Sequence, residues 1–294
     1  METTIVVPLD GSSAAETAIP FAVHLAERRK AQLMLTSVIA VTGEFATWLN
    51  TGVDTRHNEI GAWVDDRRIY LKGLLDSLRI PDAQAHVSVG RPTSMLVEFI
   101  DSIDDPIVVM ASHGRESPER GAVGRHTLRL IHHLAVPLVV VKHPDDGGVL
   151  PDDGIHRVIV PLDGSGFSER ALEASLTVLG EPAPPFHLVS VIDHNAGDST
   201  VRDAFVSAAR DAHADRLDEV ARRLTDAGHT VTWEVRAGEP EVEIAMAAVD
   251  SNASMIAMST HGRGGIANAL IGSTAEGVLH RCQHPLLLIR PDEE

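Results

Sequence analysis

The sequence predicts an α/β protein built from two consecutive, doubly wound parallel-sheet domains. Three observations lead to this prediction: a length of 294 residues, an internal repeat that spans the chain, and the alternation of strands with helices within each repeat. A chain of this length favours two domains over one. Short apolar strands that alternate with helices are typical of a parallel sheet with helices on both faces.

The repeat consists of matching segments that occur twice in the same order. The first two pairs are offset by 153 residues and the next three by 148, so the second copy is five residues shorter between the second and third pairs. The pairs are VPLDGS at 7–12 and 160–165, SVI at 37–39 and 190–192, VGRP at 89–92 with AGEP at 237–240, SHGR at 112–115 with THGR at 260–263, and VPLVVVKHPDD at 136–146 with HPLLLIRPDEE at 284–294. A tandem duplication of one structural unit accounts for this order.

The predicted domains are residues 1–145 and 154–294. Between them lies HPDDGGVLPDDGIH at 143–156, which is rich in proline, glycine and aspartate, as a linker is expected to be.

Each repeat is predicted to follow the order βαβαβαβαβ. In the second repeat the first helix is capped by Ser165 or Ser168 and closed by Gly180, and a long amphipathic helix spans 199–227 and ends at Gly228. The strands are predicted at 156–162, 186–192, 230–238, 254–259 and 285–290, and the last two helices at 239–251 and 272–282. Such a sheet binds ligands beyond the carboxyl ends of its strands, where the strand order reverses.

Composition narrows the choice of partner and compartment. A net charge of −17 and an aromatic content of 3% argue against nucleic-acid binding, which needs a clustered positive face or stacking aromatics. No apolar run reaches membrane-spanning length, and the first residues lack the basic region of a secretory signal. We therefore expect a cytoplasmic protein with no membrane partner, and the single cysteine, Cys282, suits a reducing compartment.

The hexapeptide VPLDGS places Asp163 at the carboxyl end of the first strand of the second repeat, and Asp10 at the same point of the first. A carboxylate at this edge can accept hydrogen bonds from a ribose or a base amine. It can equally be a turn residue that caps the following helix. Repetition of the residue does not separate these alternatives, because a duplication copies structure as well as function.

The segment MSTHGRGGIANALIGSTAEGVLHRC, at 258–282, runs from a strand through a glycine-rich loop into a helix. Bare backbone amides, a helix N-terminus and the hydroxyl groups of Ser273 and Thr274 together favour an anion site that a triphosphate can occupy. Lysine does not follow the glycines as in a P-loop, and no G-x-G-x-x-G follows the first strand. A nucleotide site of another kind is therefore indicated.

At this point each repeat resembles a universal stress protein domain, and the whole chain resembles a tandem member of that family. The resemblance implies a Rossmann-like, adenine-nucleotide alpha hydrolase-like fold with strand order 3-2-1-4-5, and ATP, with Mg²⁺, as the ligand. The family's pattern is Gly, two residues, Gly, nine residues, then Gly with Ser or Thr. The second repeat matches it at Gly262, Gly272 and Ser273, while Ser259 replaces the first glycine.

The resemblance implies a more complete nucleotide site in the second repeat than in the first. The residues implied for the second repeat are Pro161, Leu162, Asp163, Gly164, Val191, Met258, Ser259, His261, Gly262, Arg263, Gly265, Gly272, Ser273 and Thr274. Those implied for a weaker first site are Pro8, Asp10, Val38, Met110, Gly114, Gly124 and Arg125.

The first repeat departs from the pattern, since Ala111 replaces the first glycine and Arg125 replaces the hydroxyl residue. Its loop carries Glu116, Pro118 and Glu119, which add negative charge and remove an amide donor. Arg125 either pairs with a phosphate or pairs with a loop glutamate and closes an empty site. We expect this repeat to bind ATP weakly or not at all.

Three functions are compatible with the sequence: a nucleotide-dependent stress-response or regulatory protein, which we favour, a slow ATP hydrolase, and a nucleotide-free interaction protein. No catalytic base and no metal cluster is evident, although His132 with His133 and His280 with His284 lie close together in the chain. Cys282 is expected to be packed rather than reactive.

Two further expectations concern assembly and access to the first site. The resemblance implies an intramolecular pseudo-dimer in which the last strands, 137–142 and 285–290, meet across a pseudo-twofold axis, and a homodimer of the whole chain is plausible. The segment VTGEFATWLNTG at 41–52 either covers the crevice as a lid, contacts a partner, or packs as a short helix.

Overall fold

The computed structural model describes residues 2–40, 57–113, 123–143, 148, 154–193, 199–262 and 271–290. The described strands and helices alternate in both repeats, which confirms the predicted α/β class. The first repeat contains β1 Thr4–Pro8, α1 Ser13–Glu16, α2 Ile19–Arg29, β2 Gln32–Ala40, α3 His57–Leu78, β3 Gln84–Gly90, α4 Pro92–Asp101, β4 Pro106–Ala111, α5 Arg125–His133 and β5 Leu138–Val141. The second contains β6 Val158–Pro161, α6 Gly166–Leu179, β7 Phe186–Asp193, α7 Ser199–Asp226, β8 Val231–Gly238, α8 Pro240–Asp250, β9 Met255–Ser259, α9 Ser273–Arg281 and β10 Leu286–Ile289.

All ten strands belong to one sheet, in the order β3-β2-β1-β4-β5-β10-β9-β6-β7-β8. Within each repeat the neighbouring strands are parallel and follow the order 3-2-1-4-5, as the resemblance implied. The two repeats meet where β5 and β10 pair antiparallel, with Leu138 opposite Leu288 and Val140 opposite Leu286. The expected meeting of the last strands across a pseudo-twofold axis is thereby confirmed.

Helices cover both faces of the sheet, and each face has its own apolar core. One core includes Phe21 and Leu25 of α2 together with Leu172 of α6, and the other includes Leu130 of α5 and Val278 of α9. Each cluster contains residues of both repeats, so burial of apolar surface favours the joined molecule over separated repeats.

Local sequence explains the ends of the first helices. In the second repeat Ser165 is the N-cap of α6, since its Oγ accepts a hydrogen bond from the Ser168 amide at 3.3 Å, and Gly180 is the C-cap. The first repeat differs from the prediction, because its corresponding helix is divided into α1 and α2. Pro20 has no amide hydrogen to donate to the Glu16 carbonyl, so a single continuous helix would leave that carbonyl without its partner.

Candidate functional site

The candidate sites lie at two positions where the strand order reverses, between β1 and β4 and between β6 and β9. In each repeat the second and third strands lie on one side of the first strand, and the fourth and fifth strands lie on its other side. Loops that follow the two central strands consequently diverge and leave a crevice at the carboxyl edge. The repetition of this arrangement gives each repeat one crevice.

Asp163 is the turn residue that precedes α6, which is one of the two alternatives that the sequence left open. Its Oδ1 accepts hydrogen bonds from the Ser165 amide at 2.9 Å and from the Ser165 hydroxyl at 2.6 Å, and Ser165 in turn caps α6. Its Oδ2 faces Gly262, where an added Cβ would lie only 2.8 Å from that oxygen. One carboxylate oxygen therefore organises the turn, while the other lies against the glycine-rich loop.

The turn that carries this aspartate needs glycine as its next residue. Gly164 has a φ of 81° and Gly11 in the first repeat has 84°, values that disfavour any residue with a Cβ. Asp10 also repeats the hydrogen bonds of Asp163, since its Oδ1 accepts from the Ser12 amide at 2.9 Å. The duplicated hexapeptide thus builds the same turn at both crevices.

The two ends of the glycine-rich loop of the second repeat lie side by side. The Gly272 amide donates to the Thr260 carbonyl at 2.7 Å, and a Cβ on Gly272 would lie 4.0 Å from the Gly262 nitrogen. Gly272 is also the N-cap of α9, whose first residue is Ser273. The start of α9, Gly262 and the Asp163 carboxylate are therefore brought to one place.

The first position of the glycine pattern tolerates serine in this structure. Ser259 is 6% exposed, and its Oγ accepts a hydrogen bond from the His261 amide at 3.1 Å. The adjacent His261 ring is held by a 2.9 Å contact between its Nδ1 and the Thr260 hydroxyl. The departure from glycine is accommodated by a local hydrogen bond at the end of β9.

The described members of the predicted second site lie on β6, β7, β9 and α9 and the turns that adjoin them. They are Pro161, Leu162, Asp163, Gly164, Val191, Met258, Ser259, His261, Gly262, Gly272, Ser273 and Thr274. Arg263, Gly265 and Gly114 lie outside the described residues, as do Glu116, Pro118, Glu119 and the segment 41–52.

A cavity of about 500 Å³ occupies the crevice of the first repeat. This volume is within the range of sites for small organic ligands. All six described residues of the weaker predicted site line it, namely Pro8, Asp10, Val38, Met110, Gly124 and Arg125. The residues predicted for the weaker site therefore lie together at the first switch point, and their part in binding stays a prediction.

Several lining residues are not predicted by the sequence patterns, among them Thr36, Arg67, His113 and His126. Thr36 precedes Val38 by two positions on the same strand, so strand periodicity places both side chains on one face and was a usable signal. Arg67 belongs to α3, and no sequence pattern shows which side of a long helix meets the end of a sheet.

Other histidines and the cysteine do not form a metal centre among the described residues, where no cluster of three or more ligand side chains occurs. Cys282 is 2% exposed and lies 3.7 Å from the Nδ1 of His284, just beyond the end of α9. Burial raises the pKa of the Cys282 thiol to about 11, and burial lowers the pKa of the His284 ring. The thiol is a packed group, as expected.

The fold agrees with comparison against known proteins. The model of the universal stress protein family matches residues 1–142 and again residues 154–290. The chain belongs to the universal stress protein family. It is 28% identical over 300 residues to a universal stress protein of Mycobacterium tuberculosis strain H37Rv, with 97% of this chain and 96% of the relative covered. A universal stress protein of Synechocystis is 21% identical, with 97% and 99% covered.

Among solved structures, this universal stress protein is similar to one from Archaeoglobus fulgidus. The TM-score is 0.69 at 20% identity, and 99% of this chain and 97% of that chain are covered. The agreement over the full length shows that the tandem arrangement is shared. Among the described residues, no helix combines the length and the apolar character that a membrane span requires.

Proposed function

We propose that this protein is a cytoplasmic, nucleotide-dependent stress-response or regulatory protein that binds ATP chiefly in its second repeat. The observation that carries the proposal is the position of Asp163 Oδ2 beside Gly262 at the start of the glycine-rich loop, where an added Cβ would lie 2.8 Å from that oxygen. It brings an acceptor for ribose hydroxyl groups next to the donors for phosphate. Those two chemistries together describe a nucleotide better than a simple anion.

The start of α9 offers hydrogen-bond donors to the phosphates of ATP, and the ends of the strands offer apolar surface to its base. The free backbone amides at the start of α9 and the Ser273 and Thr274 hydroxyl groups are donors, and the helix dipole adds positive potential there. The hydrogen bond from the Gly272 amide to the Thr260 carbonyl, at 2.7 Å, fixes the start of α9 beside the first part of the glycine-rich loop. Met258 and Val191 at the strand ends offer apolar surface to the base.

Mg²⁺ is expected to enter with the nucleotide rather than to occupy a protein site of its own. Mg²⁺ commonly keeps most of its ligands as phosphate oxygens and waters. Asp163 Oδ2 lies beside Gly262, where it can accept a hydrogen bond from a water of the ion.

The first repeat is expected to bind ATP less well, although it has a cavity. Arg125 stands where Ser273 opens α9, and His126 stands where Thr274 follows. The two hydroxyl donors of the second site are therefore absent from the first. The expected asymmetry lies in the residues at the start of the last helix and not in the strand order, which is the same in both repeats.

The test is to purify the full chain without added nucleotide, denature it, and identify and count the small molecules released. Nucleotide-free protein is then titrated with ATP and Mg²⁺ by calorimetry. About one ATP per chain supports the proposal. Two per chain refutes the asymmetry, and neither release nor binding leaves the nucleotide-free interaction protein as the better description.

A further inference from the structure

The sheet ends at β8 on the side of the second repeat, and this edge is open to a further strand. β8 is the last in the order of the described strands, so its outer side faces no neighbouring strand among them. The Thr230 carbonyl accepts a hydrogen bond from the Phe186 amide at 2.9 Å, so every second residue from Thr230 onward directs its backbone groups to β7. Trp233, Val235 and Ala237 therefore direct their backbone groups away from the sheet.

One face of this edge is apolar. Val235 belongs to the core that also contains Leu217 of α7. Trp233 lies two positions before Val235, so its side chain is on the same face of the sheet, and it is 36% exposed. An indole ring beside open backbone groups offers a contact to an apolar side chain of an added strand.

The other face of the edge is acidic. Arg236 contacts three carboxylates there, at 2.7 Å from Glu234, 2.8 Å from Asp250 and 3.7 Å from Glu243. Its side chain is only 14% exposed, whereas those of Glu234 and Asp250 are 34% and 56% exposed. Even with the ring of His187 protonated, at 3.2 Å from Glu234, the group keeps a net negative charge. This face therefore attracts cations.

The opposite edge of the sheet, at β3, differs from β8 in both features. At the repeat offset of 148 residues, Ala85 takes the position of Trp233 and His86 that of Glu234, and the His86 ring stacks on Phe99 with 3.9 Å between ring centroids. The other three charged positions are taken by Ser88, Met95 and Ser102. The duplication thus produced two strands with matching positions at the two edges, and of these only β8 combines a tryptophan with a carboxylate-rich face.

These features determine what kind of chain can be added to β8. An added strand places alternate side chains on the two faces of the sheet, so apolar residues beside Trp233 must alternate with cations beside Glu234 and Asp250. A second copy of this chain is a poor match. Two β8 strands paired about a twofold axis normal to the sheet would bring the carboxylates of both copies to the same face, where like charges repel.

We propose that the edge of β8 is a docking site for an extended segment of another protein in which lysine or arginine alternates with apolar residues. The segment pairs with the outward backbone groups of Trp233, Val235 and Ala237 and continues the sheet by one strand. Its apolar side chains lie on the face of Trp233, and its cations lie on the face of Glu234 and Asp250. This inference goes beyond the proposed function, because it concerns a protein partner and a surface outside both crevices.

The experiment follows the fluorescence anisotropy of a short labelled peptide of alternating valine and lysine as the full chain is added. The control peptides alternate valine with glutamate, or have the same composition with all lysines at one end. Two further peptides carry N-methyl groups on every valine amide or on every lysine amide. Only one of these two sets of amides faces β8 in a strand pairing, so the two peptides must differ.

Two matched variants of the protein test which edge the peptide uses. Trp233→Lys removes the indole and places a cation on β8, and lysine on an edge strand disfavours strand addition. Ala85→Lys adds the same charge at the corresponding position of β3 and is the control. Circular dichroism and urea unfolding establish that both variants fold.

The valine–lysine peptide is expected to bind about tenfold more tightly than either control peptide. One set of N-methyl groups should weaken it by about tenfold or more, and the other set by less than about twofold, because only one set removes hydrogen bonds to β8. Trp233→Lys should weaken the same peptide by about tenfold, and Ala85→Lys by less than about twofold. The N-methylated peptides are tested on the wild-type chain, so their result stands even if Trp233→Lys does not fold.

The inference is overturned if the wild-type chain does not bind the valine–lysine peptide, or binds the valine–glutamate peptide equally well. Equal losses from the two N-methylated peptides, or from Trp233→Lys and Ala85→Lys, would also overturn it. Sedimentation tests the remaining occupant: self-association that Trp233→Lys abolishes, without peptide binding, would assign the edge to a second copy instead. Titration of the wild-type chain with ATP decides the proposed function separately, because neither result depends on the other.

Discussion

The Lys142 ammonium group donates a hydrogen bond to the His280 carbonyl at 2.8 Å, across the boundary between the repeats. The reciprocal contact runs the other way, from Arg290 Nη1 to the His132 carbonyl at 3.2 Å. Both donors and both acceptors are separated by 148 residues in the chain, the offset of the repeat. Each repeat therefore places a cation at the C-terminal end of the other repeat's last helix, where the helix dipole favours positive charge.

Lys142→Met is expected to lower the free energy of unfolding by about 1.5–3 kcal/mol, the range for a lost hydrogen bond to a charged group. Lys142 is only 6% exposed, and methionine keeps its length while leaving the His280 carbonyl without this donor. Urea denaturation followed by circular dichroism measures the change. Lys72→Met is the control, because Lys72 is exposed on α3, and a loss equal to that of the control would contradict the importance of the contact.

Gly262→Ala is expected to weaken ATP binding by about tenfold, or about 1.4 kcal/mol. The new Cβ would lie 2.8 Å from Asp163 Oδ2, so either the loop or the carboxylate must move. Calorimetric titration with ATP and Mg²⁺ measures the effect. Gly73→Ala is the matched control, since a Cβ there meets no atom within 4 Å.

Gly73→Ala, the control substitution, is itself expected to change the stability of the protein. Gly73 lies within α3, so Gly73→Ala should raise the free energy of unfolding by about 0.5–1 kcal/mol through helix propensity alone. ATP affinity should not change. Urea unfolding and the same titration test both statements, and destabilisation would indicate a contact that the structure does not contain.

Asp163→Asn is expected to separate the two functions of this side chain. The amide oxygen can still accept the hydrogen bonds of Ser165, so the cap of α6 and the stability should be largely preserved. The lost negative charge and the amide group facing Gly262 should weaken ATP binding severalfold. Asp10→Asn changes the same turn of the first repeat and should leave ATP affinity at the second site unaffected; equal effects of the two changes would argue against that site.

The buried thiol of Cys282 predicts a pH dependence of stability in the alkaline range. Burial raises the pKa of this thiol to about 11, whereas an exposed cysteine has a pKa of about 8.5. Above the lower value the unfolded chain loses the proton that the folded chain keeps, so the free energy of unfolding should fall by about 1.4 kcal/mol per pH unit until pH 11.

Urea unfolding at pH 8, 9 and 10 tests this prediction, with Cys282→Ala as the comparison protein. The wild type should lose stability more steeply than Cys282→Ala over this range, and parallel curves would refute the buried thiol as the cause. At pH 8 the thiol of the folded wild type should also react with a thiol reagent only as fast as the chain opens.

Much of the fold could be predicted from the sequence, because the features that specify its strands and helices are local in the chain or occur in both repeats. Apolar runs predicted the described strands, and Gly180 and Gly228 correctly marked helix ends. The division at Pro20 was missed, although the missing amide hydrogen of proline is itself a sequence signal. The strand order came from the family resemblance and not from any pattern in the strands themselves.

Only part of each candidate site could be predicted from the sequence. The hexapeptide and the glycine spacing identified Asp163, Gly262 and Gly272, since short motifs record backbone requirements directly. The sequence patterns do not predict Arg67 or Thr36 as lining residues of the first crevice, because their positions there depend on which groups other parts of the chain bring near them.

The sequence by itself determined the duplication, the alternation of strands with helices, and the two turns that contain Asp10 and Asp163. These features depend on composition and on neighbours in the chain. Only the tertiary structure decided that Lys142 and Arg290 cap each other's repeat, that Asp163 Oδ2 meets Gly262, and that the first crevice is a cavity. The physical reason is that hydrogen bonds, close contacts and cavities act over a few ångströms in space, and packing alone determines which distant residues come within that range.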